Sequence, residues 1–246
     1  MKKMLLGSLL GLVLCAGSSY AGSLGGRVWF ADYTFHQARG GSDVVIENEM
    51  GTAPMFLVQL DGRMGEKMSG SLMMGAGQWD KDYDGGASQT DTRFDFLAGL
   101  SWNFKYWYIG AAVHPVIVYE EFTSAMAEES TFTSIYAGPE VLAGASFPIL
   151  PDLLFVRGSV SALPIVGVLN LEERADGDTG DGSTTTYGYA FDVGLLLALS
   201  NWRLGGGWRQ FNISDYDYTM EIGDQSYEHT LGEDFGGPYV MVSINW

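Results

Sequence analysis

Cysteine is almost absent from this chain of 246 residues: the single example is Cys15, inside the apolar leader. Once the leader is removed no thiol remains, which excludes a disulfide framework and any metal centre built on thiolates. Basic residues are also scarce, 13 against 30 acidic, for a formal charge of -17. That balance excludes nucleic acid as a partner, because a polyanion needs a basic surface. Long hydrophobic runs are missing too. Beyond the leader, even the most apolar stretches carry a polar residue inside or beside them, such as His114 within 109–119 and Asp192 before 194–199. No segment therefore reads as a membrane-spanning helix.

The N-terminus carries what the rest lacks. Lys2 and Lys3 precede the apolar stretch Met4 to Cys15, and Ser19-Tyr20-Ala21 places small residues where a signal peptidase cuts. At roughly a dozen residues the stretch is too short to span a bilayer as a helix. Residues 1–21 are read as a secretory signal peptide, with the mature chain 22–246 beginning near Gly22. A lipoprotein leader would want a small residue before the cysteine, and Leu14 is not one. The mature chain keeps 11 basic residues against the same 30 acids, with 46% hydrophobic and 13% aromatic residues over the full sequence. Such a chain can fold, so its acidity is assigned to loops.

Period-two alternation fills the mature chain. Along 93–104 the even positions are Phe94, Phe96, Ala98, Leu100, Trp102 and Phe104, whereas the odd ones include Arg93, Asp95, Gly99, Ser101 and Asn103. A helix has no such period. Similar segments lie near 24–35, 54–62, 67–79, 106–119, 133–147, 153–169, 187–199, 202–213 and 235–246. These make about ten antiparallel strands, with eight or twelve also compatible. Tight turns are expected near 62–65, 104–105, 148–152 and 200–201. Long polar loops are expected near 36–53, 80–92, 120–132, 170–186 and 214–234. Short turns at one end and long loops at the other are the pattern of a transmembrane barrel.

A soluble sandwich or lipocalin-like barrel also alternates, with its apolar face inward. Two features favour the membrane. Aromatics gather at the short-turn ends, as Trp102, Phe104, Trp107, Phe147 and Trp202, where a girdle would lie. The last strand carries Val240, Val242 and Ile244 on one face and stops at Trp246. This resembles the C-terminal assembly signal of bacterial outer-membrane β-barrel proteins. The resemblance implies an all-β up-and-down barrel in the outer membrane of a Gram-negative cell. It also implies membrane lipid, lipopolysaccharide and the barrel-assembly machinery as partners. The oligomeric state stays open.

Hairpin register turns alternation into contacts, because facing residues share a side of the sheet. A two-residue turn at Ser200-Asn201 sets Asp192 opposite Arg209, and one at Phe104-Lys105 sets Asp95 opposite His114. With Arg27, Arg93, Glu140, Arg157 and Arg203 these residues are expected inside. They read either as a structural polar network filling a narrow barrel or as the lining of an aqueous path. Inward glycines at 75, 77, 99, 110, 144, 194, 205 and 207 would leave room for such a path.

Three functions follow: a structural barrel or narrow pore, a surface-binding barrel acting through its loops, or an enzyme at the outer rim. Ten-stranded barrels include the omptin proteases, which use paired acids and an Asp-x-His element. Asp80 and Asp82 resemble the first part, but none of His36, His114 and His229 follows an aspartate at that spacing. A His-x-Ser element of the lipid A deacylase kind is absent as well. Asp95 with His114 could serve as orienter and base, with no nucleophile assigned beside them. The chain is therefore read as a non-enzyme that requires no cofactor. One loop has metal-binding spacing. Asp80, Asp82 and Asp84, then Gly85, then Asp91 match the first, third, fifth, sixth and twelfth places of an EF-hand calcium loop. The twelfth residue is a short aspartate and strands flank the loop. A solvated acidic turn, like Asp176-Gly177-Asp178, is the competing reading.

Overall fold

The computed structural model describes residues 22–39, 46–126, 128–173, 179–222 and 225–246. The expected leader and the Asp176-Gly177-Asp178 turn lie outside these residues. Twelve strand segments are present: β1 (Gly22–Arg39), β2 (Ile46–Arg63), β3 (Met68–Asp82), β4 (Ser88–Asn103), β5 (Trp107–Val113), β6 (Val116–Thr123), β7 (Glu129–Ala137), β8 (Pro139–Leu150), β9 (Leu154–Glu173), β10 (Thr179–Leu199), β11 (Trp202–Ile222) and β12 (Gln225–Asn245). They form one antiparallel sheet.

Segments β5 and β6 both pair with β4, and β7 and β8 both pair with β9. Each couple is one long strand interrupted near its middle, so the ring has ten staves. Pro115 causes the first break, since it lacks the N–H that a ladder needs. The backbone bridges the gap with His114 N–H donating to Gly138 O (3.3 Å) and Phe96 N–H donating to Pro115 O (3.1 Å). The ring closes where β12 pairs with β1, and Gly22 and Trp246 exchange backbone hydrogen bonds of 3.1 and 3.0 Å.

The wall settles which way the apolar residues face. Phe56, Val141, Val160 and Val240 point outward, with Val160 61% exposed, as do the girdle residues Trp102, Trp107, Phe147 and Trp202. In water this surface would be a large aggregating patch; against acyl chains it is stabilising. Val242, Ile244 and Trp246 also lie on this outer wall. A second set of exposed aromatics, Phe30, Tyr187 and Trp208, marks the other edge of the apolar band.

The expected long loops are mostly strand. The β11–β12 hairpin continues to Ile222 and Gln225, and β3–β4 to Asp82 and Ser88. Beyond the apolar band the alternation persists with its sense reversed. After an irregularity between Ile213 and Tyr216, β11 turns Tyr216, Tyr218 and Met220 inward and exposes Asp217, Thr219 and Glu221. Acidic residues that look like loop are the wetted face of a projecting collar.

Candidate functional site

Ranked from the short-turn end outward, the interior has three zones: a polar vestibule, a transverse plug and an outer vestibule. The first holds about 420 Å³ and is lined by Arg27, Arg157, Arg203, Arg209, Asp61 and Asp192, among others. Arg27 Nη1 donates to Asp192 Oδ2 (2.7 Å), and Tyr239 O–H donates to Asp192 Oδ1 (2.8 Å). The Arg27 guanidinium lies 4.3 Å over the Tyr239 ring.

All nine residues expected inside do face the lumen, but their partnerships differ. Asp192 stands opposite Arg209 in register, yet its ion pair is with Arg27 of β1, a strand remote in sequence. Arg209 instead stacks over Trp29 at 5.3 Å. Asp95 faces Val116, not His114, because the turn spans 104–107, with Phe104 N–H donating to Trp107 O, and Asn103 faces Tyr108. A slip of two residues preserves the face and changes the partner. His114 Nδ1 lies 2.9 Å from Glu140 Oε2, and Asp95 is bound by its strand neighbour Arg93.

The plug was not legible from hairpin pairs. Arg93 and Asp95 are both buried, joined by Nε to Oδ1 (2.8 Å) and Nη2 to Oδ2 (3.2 Å). The guanidinium is clamped between the rings of Phe211 (4.1 Å) and Phe235 (4.0 Å). A desolvated cation over aromatic faces is a favourable arrangement. Phe235 stacks on Tyr33 at 4.2 Å, and Trp79 packs tilted against both. Trp79 Nε1 donates to Ala31 O (2.9 Å) and Trp29 Nε1 to Gly237 O (3.2 Å), so each indole N–H is satisfied. Of the inward glycines, Gly77 lies at the level of the plug, where a Cβ would come within 3.0 Å of the Trp79 ring, and others lie lower, beside the inner vestibule. A Cβ on Gly144 would meet the Tyr108 ring at 2.5 Å, and one on Gly194 would lie 2.6 Å from the Tyr239 hydroxyl. These glycines make room for large side chains, not for water.

Above the plug, Tyr136 O–H donates to Glu233 Oε1 (2.5 Å), and Tyr216 O–H and Ser134 O–H both donate to Asn170 Oδ1 (3.2 and 2.9 Å). The outer vestibule, about 300 Å³, follows; Phe35, Tyr83, Glu120, Phe122, Phe132 and Glu172 line it. Tyr83 O–H donates to Gln89 Oε1 (2.6 Å), and Gln89 Nε2 donates to Asp91 Oδ1 (3.0 Å). Burial, with the charges of Asp91 and Glu120 added, pushes the Tyr83 phenol up.

This arrangement does not bring the aspartates of the expected calcium loop together. Asp91 points inward and is buried, while Asp80 and Asp82 point outward, with Asp80 accepting from Gln78 and Thr90. Where a loop was expected over 80–92, the hairpin pairs Asp80 with Thr90 and Trp79 with Asp91, which puts Asp80 and Asp91 on opposite faces, and Asp84 sits in the exposed turn. Among the described residues no group of three or more His, Cys, Asp and Glu is placed to hold a metal. Asp80 and Asp82 are equally misplaced as a rim dyad, since they face away from the vestibule.

Comparison with protein-family models and with curated proteins finds no match. Solved structures do match. The outer-membrane protease OmpT from Escherichia coli superposes with a TM-score of 0.66 at 9% identity, over 94% of this chain and 100% of that one. The translocator domain of the autotransporter NalP from Neisseria meningitidis gives 0.46 at 10% identity, over 99% and 95%. The transport unit of the autotransporter AIDA-I from Escherichia coli gives 0.48 at 9%, over 92% and 90%. The OmpT likeness concerns the fold alone.

Proposed function

We propose that this outer-membrane β-barrel is a closed, non-catalytic barrel that binds at its outer end and is not a continuous pore. The observation that carries the reading is the plug. Trp29, Tyr33, Trp79, Phe211, Phe235 and the Arg93–Asp95 pair come from β1, β3, β4, β11 and β12 and are all buried to within 3% of full. Aromatic rings packed around a buried ion pair do not admit a water column. What supports binding is the collar, which carries the outer vestibule clear of the apolar band on a strand-built wall, a rigid mount for a recognition surface. Glu120 and Glu172 beside Phe35, Phe122 and Phe132 suit a positively charged group, by charge and by ring quadrupole. In the same reading the wall faces lipid and lipopolysaccharide, and Val240, Val242, Ile244 and Trp246 serve as the signal to the assembly machinery.

Planar-bilayer recording of refolded protein tests the closed state. The expected result is a silent bilayer at either polarity. Steady conductance steps from the wild type would overturn the reading in favour of a narrow pore.

A further inference from the structure

The inner vestibule carries a different message from the outer one. The chain has only eight arginines, and four of them, Arg27, Arg157, Arg203 and Arg209, line this single cavity. Only Arg27 has a carboxylate within ion-pair distance among the described residues. The described side-chain hydrogen bond of Arg157 goes to the Met241 sulfur at 3.6 Å, a weak acceptor. Arg209 leans on Trp29 and its Nε has no hydrogen-bond partner. Both Arg157 and Arg209 stand close enough to Arg27 to repel it.

The acids of the cavity are engaged elsewhere. Asp192 is held by Arg27 and Tyr239, and Glu140 lies against His114. Asp61 accepts from Gln59 (2.9 and 3.1 Å) and Ser23 (3.2 Å). It lies near Arg157 and Arg203, but beyond ion-pair distance of both.

We propose that this vestibule is a binding site for a small oxyanion of the phosphate or carboxylate class, held by Arg157, Arg203 and Arg209. Guanidinium groups present paired donors matched to such oxygens, and an anion would relieve repulsion among cations partly removed from water. A volume of about 420 Å³ accommodates a multiply charged small molecule. Access is from the short-turn, periplasmic side, where Ser69, Ser101 and Asn103 form part of the lining. The continuous strand wall keeps lipid headgroups out. The site does not depend on whether the plug opens.

The test is calorimetric titration of the full mature barrel, in zwitterionic detergent at low salt, with inorganic phosphate and separately with succinate. At least one anion is expected to bind, more weakly as sodium chloride is added, and the stronger one identifies the class. Arg203→Gln, at an exposed position, should weaken binding by about tenfold, and Arg157→Gln with Arg203→Gln should abolish it. Asp61→Asn should tighten it several-fold by removing a repelling charge. Heat-modifiable mobility on gels confirms folding of each variant. Absence of heat from both anions, or equal affinity in wild type, Arg203→Gln and Asp61→Asn, would overturn the proposal.

Discussion

One strand, β12, passes through two environments and reverses its logic between them. From Trp246 back to Pro238 its outward residues are apolar, Val240, Val242 and Ile244, and its inward neighbours include Ser243 and Met241. From Phe235 to Ser226 its outward residues include Asp234, Thr230 and Glu228, and the inward ones are Phe235, Glu233, Leu231 and His229. The period is the same, and only the solvent outside has changed. In the membrane half, lipid takes the apolar side chains and the lumen is left to the polar and charged ones. In the collar, water surrounds the wall, so apolar burial has to happen inside, as in a soluble barrel. The plug sits where the two regimes meet, which is why a buried arginine there is flanked by phenylalanines.

The comparison breaks most severely if the collar loses its core. Phe235 touches Arg93, Tyr33, Trp79 and Phe211, so Phe235→Ala should cost about 3–5 kcal/mol. Urea unfolding of the refolded barrel in micelles, followed by tryptophan fluorescence, measures it; a loss below about 1 kcal/mol would mean the collar is not held from within.

A charge placed on the outer wall should be felt in one region and not in the other. Val240→Arg, in the apolar band, is expected to destabilise by about 2–4 kcal/mol. Thr219→Arg, outward on the collar, should stay within about 0.5 kcal/mol. Equal effects would show that the band has been drawn at the wrong height.

The smallest expected signal sharpens the membrane half. A double-mutant cycle on Arg27 and Asp192 should give a coupling of about 0.5–3 kcal/mol, and the cycle on Arg209 and Asp192 should be the weaker. A stronger coupling to Arg209 would return the ion pair to the register partner.

Some of this molecule was open to reading in one dimension. Alternation gave the staves of the lower half, and the Ser200-Asn201 turn gave the β10–β11 register down to Asp192 opposite Arg209. The collar was legible in principle. Residues 215–221 alternate as cleanly as 93–104, but their acidic outward positions look like loop wherever polarity marks the end of a strand. The four aspartates of the EF-hand spacing are kept apart for a related reason. The spacing of Asp80, Asp82, Asp84 and Asp91 presupposes a compact loop, whereas a hairpin sends odd and even residues to opposite faces.

What the sequence by itself determined is the side of the sheet each residue occupies, since a period of two is local and survives a register slip of two. The partner across the lumen was decided only by closure of the ring. Arg27 meets Asp192, and Arg93 lies between Phe211 and Phe235, because the ring brings β1, β4, β10, β11 and β12 around one narrow axis. Distances across that axis depend on the number of staves and their stagger, which are properties of the whole barrel and of no single hairpin.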